Sequence, residues 1–418
     1  MASRPEPPGD SAGARTAAAP SAATVAGPVV GPVVGPVAGP VAGPVAGHGD
    51  VRADRSSDRE GRALLARAAE LVAVPSVSRS EQAIADLVQA VLSEHPELHV
   101  ERLGDSVVAR TALGRSRRVV LAGHLDTVPP FEDPTARVEG DVLWGLGSVD
   151  MKGGLAVLLD LATTVVDPAA DVTWVFYACE EIDRSENALA WMAAHRPDVL
   201  AGDAAVLLEP TGGVVEAGCQ GTARVEVRVR GRRAHTARPW MGVNAVHRLA
   251  GVLDVLNAYR PRQVELDGCV YTEQLQAVRV TGGVAGNVVP DDAAVTVNFR
   301  FAPDRDVAGA LAALEDVFRG ALGAGGTLEV TDIAGGAPPG LGHPVLAALV
   351  EATGTSARAK LGWTDVATFA SAGVPAVNFG PGDPLLAHTP DEHVSAAELV
   401  AIRRVLGQVI GEAARRGV

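Results

Sequence analysis

The chain of 418 residues is poor in cysteine and in aromatic residues, which make up 4% of the sequence. Its three cysteines, Cys179, Cys219 and Cys269, lie far apart, so the sequence predicts neither a disulfide framework nor a thiolate zinc site. It also lacks an apolar run of about eighteen residues and a basic N-terminal region followed by an apolar one, which are the marks of a membrane span and a secretory signal. These absences predict a cytoplasmic protein without a membrane span.

Basic residues are also in the minority, because 36 Lys and Arg stand against 50 Asp and Glu and give a formal net charge of -14. A surface of this charge repels nucleic acid and anionic membranes, so we expect neither as a partner. The acidic balance instead favours small-molecule substrates and metal cations.

Residues 1–55 consist mainly of alanine, glycine, proline, valine and serine, and the tetrapeptide Gly-Pro-Val-(Val/Ala) repeats five times between Gly27 and Ala46. A proline at every fourth residue removes backbone donors and excludes a helix, while glycine raises the entropic cost of ordering. A period of four rather than three argues against a collagen triple helix. The sequence therefore predicts a disordered tail over residues 1–55.

Beyond the tail, the pattern of apolar residues divides the chain into three stretches. Residues 56–217 alternate strand-like and helical segments, which is typical of an α/β domain with a mainly parallel sheet and helices on both faces. Residues 218–331 alternate apolar and polar residues with period two around two helical segments, which indicates a smaller α+β domain with an antiparallel sheet. The α/β pattern returns over residues 332–418. We therefore expect one catalytic domain in two parts, with a second domain inserted into it.

Histidine and carboxylate residues follow the predicted strands of the α/β domain. Because ligands of such sheets gather beyond the carboxyl ends of the strands, we expect these side chains to meet at one edge. They are His124 and Asp126 in LAGHLDTVPP, Asp150 in GLGSVDMKGG, Glu180 and Glu181 in WVFYACEE, Glu209 in AVLLEP, and His388 in LLAHTPDEH.

This group predicts a metal centre. Two histidines and three carboxylates form a hard nitrogen and oxygen ligand set, which suits zinc, cobalt or manganese. If one carboxylate bridges, the set holds two ions, which lower the pKa of a shared water and stabilise the tetrahedral intermediate of acyl hydrolysis. One carboxylate of the pair Glu180 and Glu181 can then bind metal while the other serves as general base. Asp126 lies two residues beyond His124, where it can accept the second ring N–H and fix the tautomer.

The motifs GHLDTVP, GSVDMKGG, ACEE, LLEPT and AHTPDEHV occur in this order, and they resemble those of the M20 family of dinuclear zinc aminoacylases and peptidases over residues 62–418. The resemblance implies two ions, zinc or cobalt, that share Asp150, and it implies that Glu180 is the general base. The remaining implied ligands are His124 and Glu209 at one ion, and Glu181 and His388 at the other.

The resemblance also implies a homodimer that forms through the inserted domain. His235 in GRRAHTARPWMGVNA and Asn287 in GGVAGNVVPD match positions that reach the partner's active site and stabilise the oxyanion and the substrate. Arg300 in VNFRF matches an arginine that helps to bind the carboxylates of an N-acyl amino-acid substrate. This last role agrees with the bidentate pairing of arginine with carboxylates.

Within the family, the motifs are most similar to those of enzymes that remove the succinyl group from N-succinyl-LL-2,6-diaminopimelate in lysine and diaminopimelate biosynthesis. Two arginine-bearing motifs of many such enzymes are altered here. Gly-Arg-Arg-Gly is replaced by GCQG at 218–221, and Gly-Thr-Ser-Asp-Gly-Arg is replaced by GWTDVA at 362–367. An acetylornithine deacetylase or another aminoacylase is therefore an alternative, and a non-catalytic binding protein on the same fold is a more remote one.

Overall fold

A computed structural model describes residues 51–131 and 136–411, with the side chains of residues 57–131 and 136–411. The predicted tail lies outside the described residues except at its end, because the first helix begins at Val51 and overlaps the last five residues of the predicted tail. No helix among the described residues combines the length and the apolar character that a bilayer crossing requires.

The described helices are α1 (Val51–Val72), α2 (Gln82–Ser93), α3 (Gly153–Thr164), α4 (Ala188–His195), α5 (Pro197–Leu200), α6 (Ala245–Ala258), α7 (Val307–Phe318), α8 (Pro344–Thr353), α9 (Val366–Ser371) and α10 (Ala396–Ile410). The described strands are β1 (His99–Leu103), β2 (Ser106–Arg110), β3 (Arg118–His124), β4 (Arg137–Glu139), β5 (Val142–Trp144), β6 (Asp171–Tyr177), β7 (Ala204–Leu207), β8 (Glu216–Ala217), β9 (Gly221–Arg230), β10 (Ala234–His235), β11 (Gln263–Leu266), β12 (Cys269–Thr272), β13 (Gln274–Gly282), β14 (Val288–Val289), β15 (Asp292–Phe301), β16 (Thr327–Ala334), β17 (Arg358–Ala359), β18 (Ala376–Asn378) and β19 (His393–Ser395).

The central sheet has the strand order β1-β2-β6-β3-β7-β18-β8-β17. Strands β6, β3, β7 and β18 are parallel neighbours, whereas β1, β2 and β8 introduce antiparallel pairs. Alternate residues of β3 serve two cores, since Leu121 packs with α1, α3 and α10 on one face and Ala122 packs with α4 and α9 on the other. The fold is therefore mixed α/β, with a mainly parallel central sheet and separate antiparallel sheets.

A second sheet, with the order β13-β15-β9-β16, lies within the stretch predicted to be an inserted domain and runs three residues past it. All of its strand pairs are antiparallel. Alternate residues of β9 are buried, as the period-two pattern predicts, and they pack with Leu249 of α6 and Leu314 of α7 in a separate apolar cluster. The division into domains remains a prediction.

The segment YTEQLQAVRVTGG, which reads as one strand in the sequence, is divided in the structure at Glu273. The buried Glu273 carboxylate accepts hydrogen bonds from the guanidinium groups of Arg262 at 2.8 Å and Arg305 at 2.9 Å. This buried charged residue interrupts the alternation of apolar and polar residues along the strand. Before it, β12 pairs with β11, and the Tyr271 hydroxyl donates to the main-chain oxygen of Ala217 at 2.7 Å. The β11–β12 hairpin thus packs against the central sheet, and only β13 joins the antiparallel one.

Candidate metal centre

His124 closes β3 and lies buried at the carboxyl edge of the central sheet. Its Nε2 atom lies 3.0 Å from Oδ1 of Asp150, and its Nδ1 atom lies 3.0 Å from the main-chain oxygen of Asp126. The Asp126 carboxylate is farther away, with Oδ1 3.6 Å from Nδ1. The hydrogen-bond partner of Nδ1 is therefore the main-chain oxygen of Asp126, and not the carboxylate that we expected.

The Asp126 carboxylate instead holds the loop that follows β6. Its oxygens accept the N–H groups of Glu180 and Glu181, each at 3.0 Å, and the Ser78 hydroxyl at 2.7 Å. Burial alone raises the pKa of Asp126, but His124 and the two N–H groups lower it to about 2. Asp126 is thus a buried, ionised group that fixes the backbone of the Glu180–Glu181 pair.

Asp150 lies between the two histidines of the centre. Its Oδ1 atom is 3.0 Å from Nε2 of His124, and its Oδ2 atom is 3.4 Å from Nε2 of His388. Burial opposes ionisation of this carboxyl, but both rings hold its pKa below the usual range. One carboxylate that faces two imidazoles has the arrangement that a bridging ligand needs.

His388 follows the short helical turn Pro384–Leu386 and contacts two carboxylates. Its Nε2 atom lies 2.8 Å from Oε1 of Glu181, in addition to its contact with Asp150. Hydrogen bonds with Asp150 and Glu181 raise the pKa of His388 to about 10. The ring is nevertheless 44% exposed, so this side of the centre is open to solvent.

Burial destabilises the ionised forms of two carboxylates of the centre, Glu209 and Glu180. Glu209 lies two residues beyond β7 and is 6% exposed, and no described residue forms a hydrogen bond with its Oε1 atom. Burial and the charge of Asp150 raise the pKa of Glu209 to about 8. Burial and the charge of Glu209 raise the pKa of Glu180 well above its ordinary value. Carboxylates that are this poorly solvated gain from a bound cation.

The possible ligand atoms form three overlapping groups, in each of which all atoms lie within 4.8 Å of one another. The groups are His124 with Asp150 and Glu209, Asp150 with Glu181 and His388, and His124 with Glu180 and Glu181. The first two share Asp150 and contain the same residues as the two ion sites that the resemblance implies. The structure thus brings the predicted ligands together, while their roles remain predictions.

The three predicted substrate residues lie elsewhere. His235 is exposed on β10, which pairs with β14, and Asn287 immediately precedes β14. Arg300 is half-buried on β15, where burial and then the charge of Arg224 lower its pKa. None of the three belongs to the groups of possible ligands among the described residues.

Glu392 has a positioning role that was not among the predictions from the sequence. Its buried carboxylate accepts the N–H groups of Gly147, Val149 and Asp150 at 2.9–3.0 Å. Gly147 takes a φ of 80°, which favours glycine, and the turn Ser148–Lys152 follows it. The signal was available, because Glu392 stands in the motif AHTPDEHV.

Cys179, the residue that precedes the acidic pair, lies outside the strand. Strand β6 ends at Tyr177, and Cys179 takes a φ of 62° on the loop. Its half-buried Sγ atom lies 3.3 Å from Oε1 of Glu81. The acidic pair that follows it is therefore presented by a loop rather than by a strand.

The model of peptidase family M20/M25/M40 matches residues 120–412. The chain belongs to this family. The resemblance that the sequence motifs indicate is thereby confirmed.

Two relatives extend this family assignment over most of the chain. A Mycobacterium tuberculosis protein that carries the provisional name succinyl-diaminopimelate desuccinylase DapE is 54% identical over 344 residues, which are 81% of this chain and 96% of that protein. The succinyl-diaminopimelate desuccinylase of Corynebacterium glutamicum is 42% identical over 348 residues, which are 82% of this chain and 94% of that enzyme.

Solved structures share the fold at low sequence identity. Aminopeptidase PepT of Bacillus cereus aligns with a TM-score of 0.69 at 19% identity, covering 84% of this chain and 98% of that one. The Bacillus subtilis YXEP protein, described as a dinuclear metal binding peptidase of the M20 family, aligns with a TM-score of 0.63 at 15% identity, with the same coverage. The mixed α/β architecture is therefore that of solved M20 structures.

Proposed function

We propose that this M20 hydrolase cleaves N-succinyl-LL-2,6-diaminopimelate to succinate and LL-2,6-diaminopimelate, a step of lysine and diaminopimelate biosynthesis. The observation that carries the proposal is the group of histidines and carboxylates in which Asp150 faces both the buried His124 and the partly exposed His388. The names of the relatives at 54% and 42% identity supply the substrate. We also propose a cytoplasmic location, which the three free cysteines support.

The donor set fits two divalent ions, and we propose zinc or cobalt. Mixed imidazole and carboxylate ligands suit these metals, and the Oε1 atom of Glu209 is a buried oxygen without a hydrogen-bond partner among the described residues. When bound, two such ions supply Lewis acidity that polarises the amide carbonyl and lowers the pKa of water. The residues that would hold them are His124, Glu209 and Asp150 at one site, and Asp150, Glu181 and His388 at the other.

Glu180 would act as the proton carrier of the reaction. Asp126 anchors its N–H group, so the carboxylate extends from a fixed point beside His124 and Glu181. Burial and the charge of Glu209 raise its pKa, which makes the carboxylate a stronger base. Glu180 would take a proton from the attacking water and return it to the nitrogen of the departing amine.

A direct assay tests the substrate. The zinc- or cobalt-loaded protein is mixed in parallel with N-succinyl-LL-2,6-diaminopimelate and with N-acetylornithine, and amine release is measured. We expect a strong preference for the succinyl compound. A preference for the acetyl compound would keep the metal-dependent hydrolysis but overturn the substrate. A folded protein that is inert towards both and binds no metal would favour the non-catalytic alternative.

We further propose that the chain forms a homodimer through the antiparallel sheet. Strand β13 is an edge of this sheet, and all of its residues except Leu275 are exposed. Val278 and Val280 on this strand are 58% and 55% exposed. Monomeric proteins rarely leave an apolar edge strand uncovered. Pairing of β13 with its copy in a second chain would cover this edge and join the two sheets. His235, Asn287 and Arg300 belong to the same part of the chain, where they would contribute to substrate and oxyanion binding.

The dimer is tested by placing a charge on the edge strand. Val280→Lys should convert the protein to a folded monomer, because a lysine on an edge strand opposes pairing. Sedimentation velocity measures the change, and circular dichroism checks the fold. Val330→Lys is the matched control, because Val330 is 44% exposed on β16 at the opposite edge. A dimer that survives Val280→Lys would show that the interface lies elsewhere.

A further inference from the structure

A surplus of positive charge lies beside the central sheet, at Lys360. The Nζ atom of Lys360 is 2.7 Å from Oε2 of Glu216, and the guanidinium of Arg358 is 3.0 Å from Oε1 of the same carboxylate. The Glu216 side chain is 9% exposed and that of Lys360 is 18% exposed. The single negative charge of Glu216 thus faces two positive charges, so these three groups together carry a net positive charge.

This charge lies close to the metal centre. Asn378 of β18 lies opposite Leu207 of β7 on one side and opposite Glu216 of β8 on the other. The predicted ligand Glu209 follows Leu207 by two residues. An anion held beside Glu216 would therefore lie at the same edge of the central sheet as the predicted site of hydrolysis.

A second observation points to a ligand at the same place. Asn378 ends β18 and lies directly opposite Glu216 in the antiparallel ladder of β18 and β8, so both side chains share one face of the sheet. Asn378 is 0% exposed, and neither its Oδ1 nor its Nδ2 atom has a hydrogen-bond partner in the part of the chain that the structure describes. Buried amides are normally satisfied, so this one offers an unused donor beside the surplus charge.

Lys360 is also adjacent to one of the altered arginine motifs. The main-chain oxygen of Lys360 accepts the N–H group of Gln220 at 3.2 Å, and Gln220 stands where many enzymes with this substrate have arginine. The Gln220 side chain cannot supply the missing charge, and its Nε2 atom already donates to the main-chain oxygen of Thr272. A cation on the neighbouring segment can take the place of the absent guanidinium.

We infer that Lys360 is the residue that binds a carboxylate of the substrate, with the Asn378 amide as a second donor and Glu216 as the anchor of the ammonium group. This inference rests on the proposed function. It explains how a chain without the two arginine motifs can still recognise a dicarboxylic acyl group or an amino-acid carboxylate.

The test compares Lys360→Met with Arg358→Met in the zinc-loaded full chain. Both substitutions remove one cation from Glu216, but the side chain of Arg358 is 48% exposed, whereas that of Lys360 is 18% exposed. KM and kcat are measured with N-succinyl- and N-acetyl-LL-2,6-diaminopimelate, and melting temperature and zinc content are recorded. We expect Lys360→Met to raise KM about 10- to 100-fold, as loss of a charge-assisted hydrogen bond does. Lys360→Arg should recover most of the affinity, and Arg358→Met should leave KM unchanged.

The two substrates identify the carboxylate. A rise in KM for the succinyl compound alone would support recognition of the acyl carboxylate, whereas an equal rise for both would support recognition of a diaminopimelate carboxylate. Unchanged KM values in Lys360→Met, or equal effects of Lys360→Met and Arg358→Met, would overturn the inference while the proposed function stands. A wild-type protein that leaves the succinyl compound intact would overturn both.

Discussion

The residues predicted to act in this protein fall into two regions that differ in burial and in bonding. At the edge of the central sheet, His124, Asp126 and Glu209 are at most 6% exposed, and His124 and Asp126 make several hydrogen bonds within the chain. In the antiparallel part of the chain, His235 and Asn287 are exposed. The first region is assembled by one chain alone, whereas the second is available to a substrate or a second subunit.

This difference has an energetic basis. Buried carboxylates cost free energy unless charges or donors compensate them, so the positions of Asp126 and Asp150 are fixed by folding. An exposed histidine is solvated and incurs no such cost, so the fold does not need to place it against a partner within the same chain. We therefore expect substitutions of the predicted ligands in the first region to change metal binding and stability as well as rate, and substitutions in the second to change rate alone.

Glu180→Gln should give the largest change in rate. We expect kcat to fall about 100- to 10,000-fold while zinc content stays normal, because the amide cannot carry the proton. The metal-free variant should also melt at a higher temperature than the metal-free wild type, since Glu180 and Glu209 no longer repel each other. Glu186→Gln in the same loop is the control. Normal turnover by Glu180→Gln would show that the base is another residue.

His235→Ala should give the second-largest loss of rate, and it tests directly whether the second region affects rate without affecting metal binding or stability. We expect kcat to fall about 100- to 1,000-fold, as for loss of an oxyanion donor, with unchanged zinc content and melting temperature. His247→Ala is the control, because His247 is exposed on α6 of the same part of the chain.

Mixing two inactive variants tests whether His235 acts across a dimer. Unfolded and refolded together, His235→Ala and Glu180→Gln chains should recover about a quarter of the wild-type rate, since half of the dimers are mixed and each mixed dimer has one complete site. Recovery of no activity, with mixed dimers present, would place His235 in the active site of its own chain.

The stability of the metal-free protein should also depend on pH through the carboxylates and histidines of the first region, with a smaller effect than the substitutions above. Burial and Asp150 raise the pKa of Glu209 from 4.5 to about 8, and contacts with Asp150 and Glu181 raise that of His388 from 6.5 to about 10. Groups with raised pKa values stabilise the folded state below their unfolded pKa, and this stability is lost as the pH rises through the folded pKa.

We therefore expect the melting temperature of the metal-free protein to fall as the pH rises from about 5 to about 10. Excess zinc should reverse this trend, because metal ligands must be deprotonated. Calorimetry with and without zinc measures both effects, and Glu209→Gln should flatten the metal-free profile below about pH 8. A melting temperature that rises with pH without zinc would contradict the prediction.

The smallest effect should come from breaking the exposed ion pair of Arg79 and Glu186. Glu186 is close in sequence to the Glu180–Glu181 pair, but the ion pair lies outside the buried part of the first region. Its side chains are 64% and 39% exposed, so solvent replaces their interaction readily. We expect Arg79→Gln to leave kcat/KM and melting temperature within experimental error. A clear loss of activity would show that this pair helps to position the Glu180–Glu181 loop.

Much of this protein could be predicted from the sequence, because short-range patterns carry the relevant physics. The alternation of strands and helices gives the central sheet, and the polar residues that follow β3, β6 and β7 meet there because parallel strands end at the same edge. The period-two segments predict the antiparallel sheet that the structure contains.

The tertiary structure alone decided which partners these residues have. Asp126 turns its carboxylate to the N–H groups of Glu180 and Glu181, and Glu392 binds the turn that carries Asp150, although 242 residues separate them in the chain. The same holds for Glu273, which divides a strand by binding Arg262 and Arg305. A local pattern states that a side chain is polar and near a strand end. Which donor satisfies it depends on which distant segments folding brings within hydrogen-bond distance.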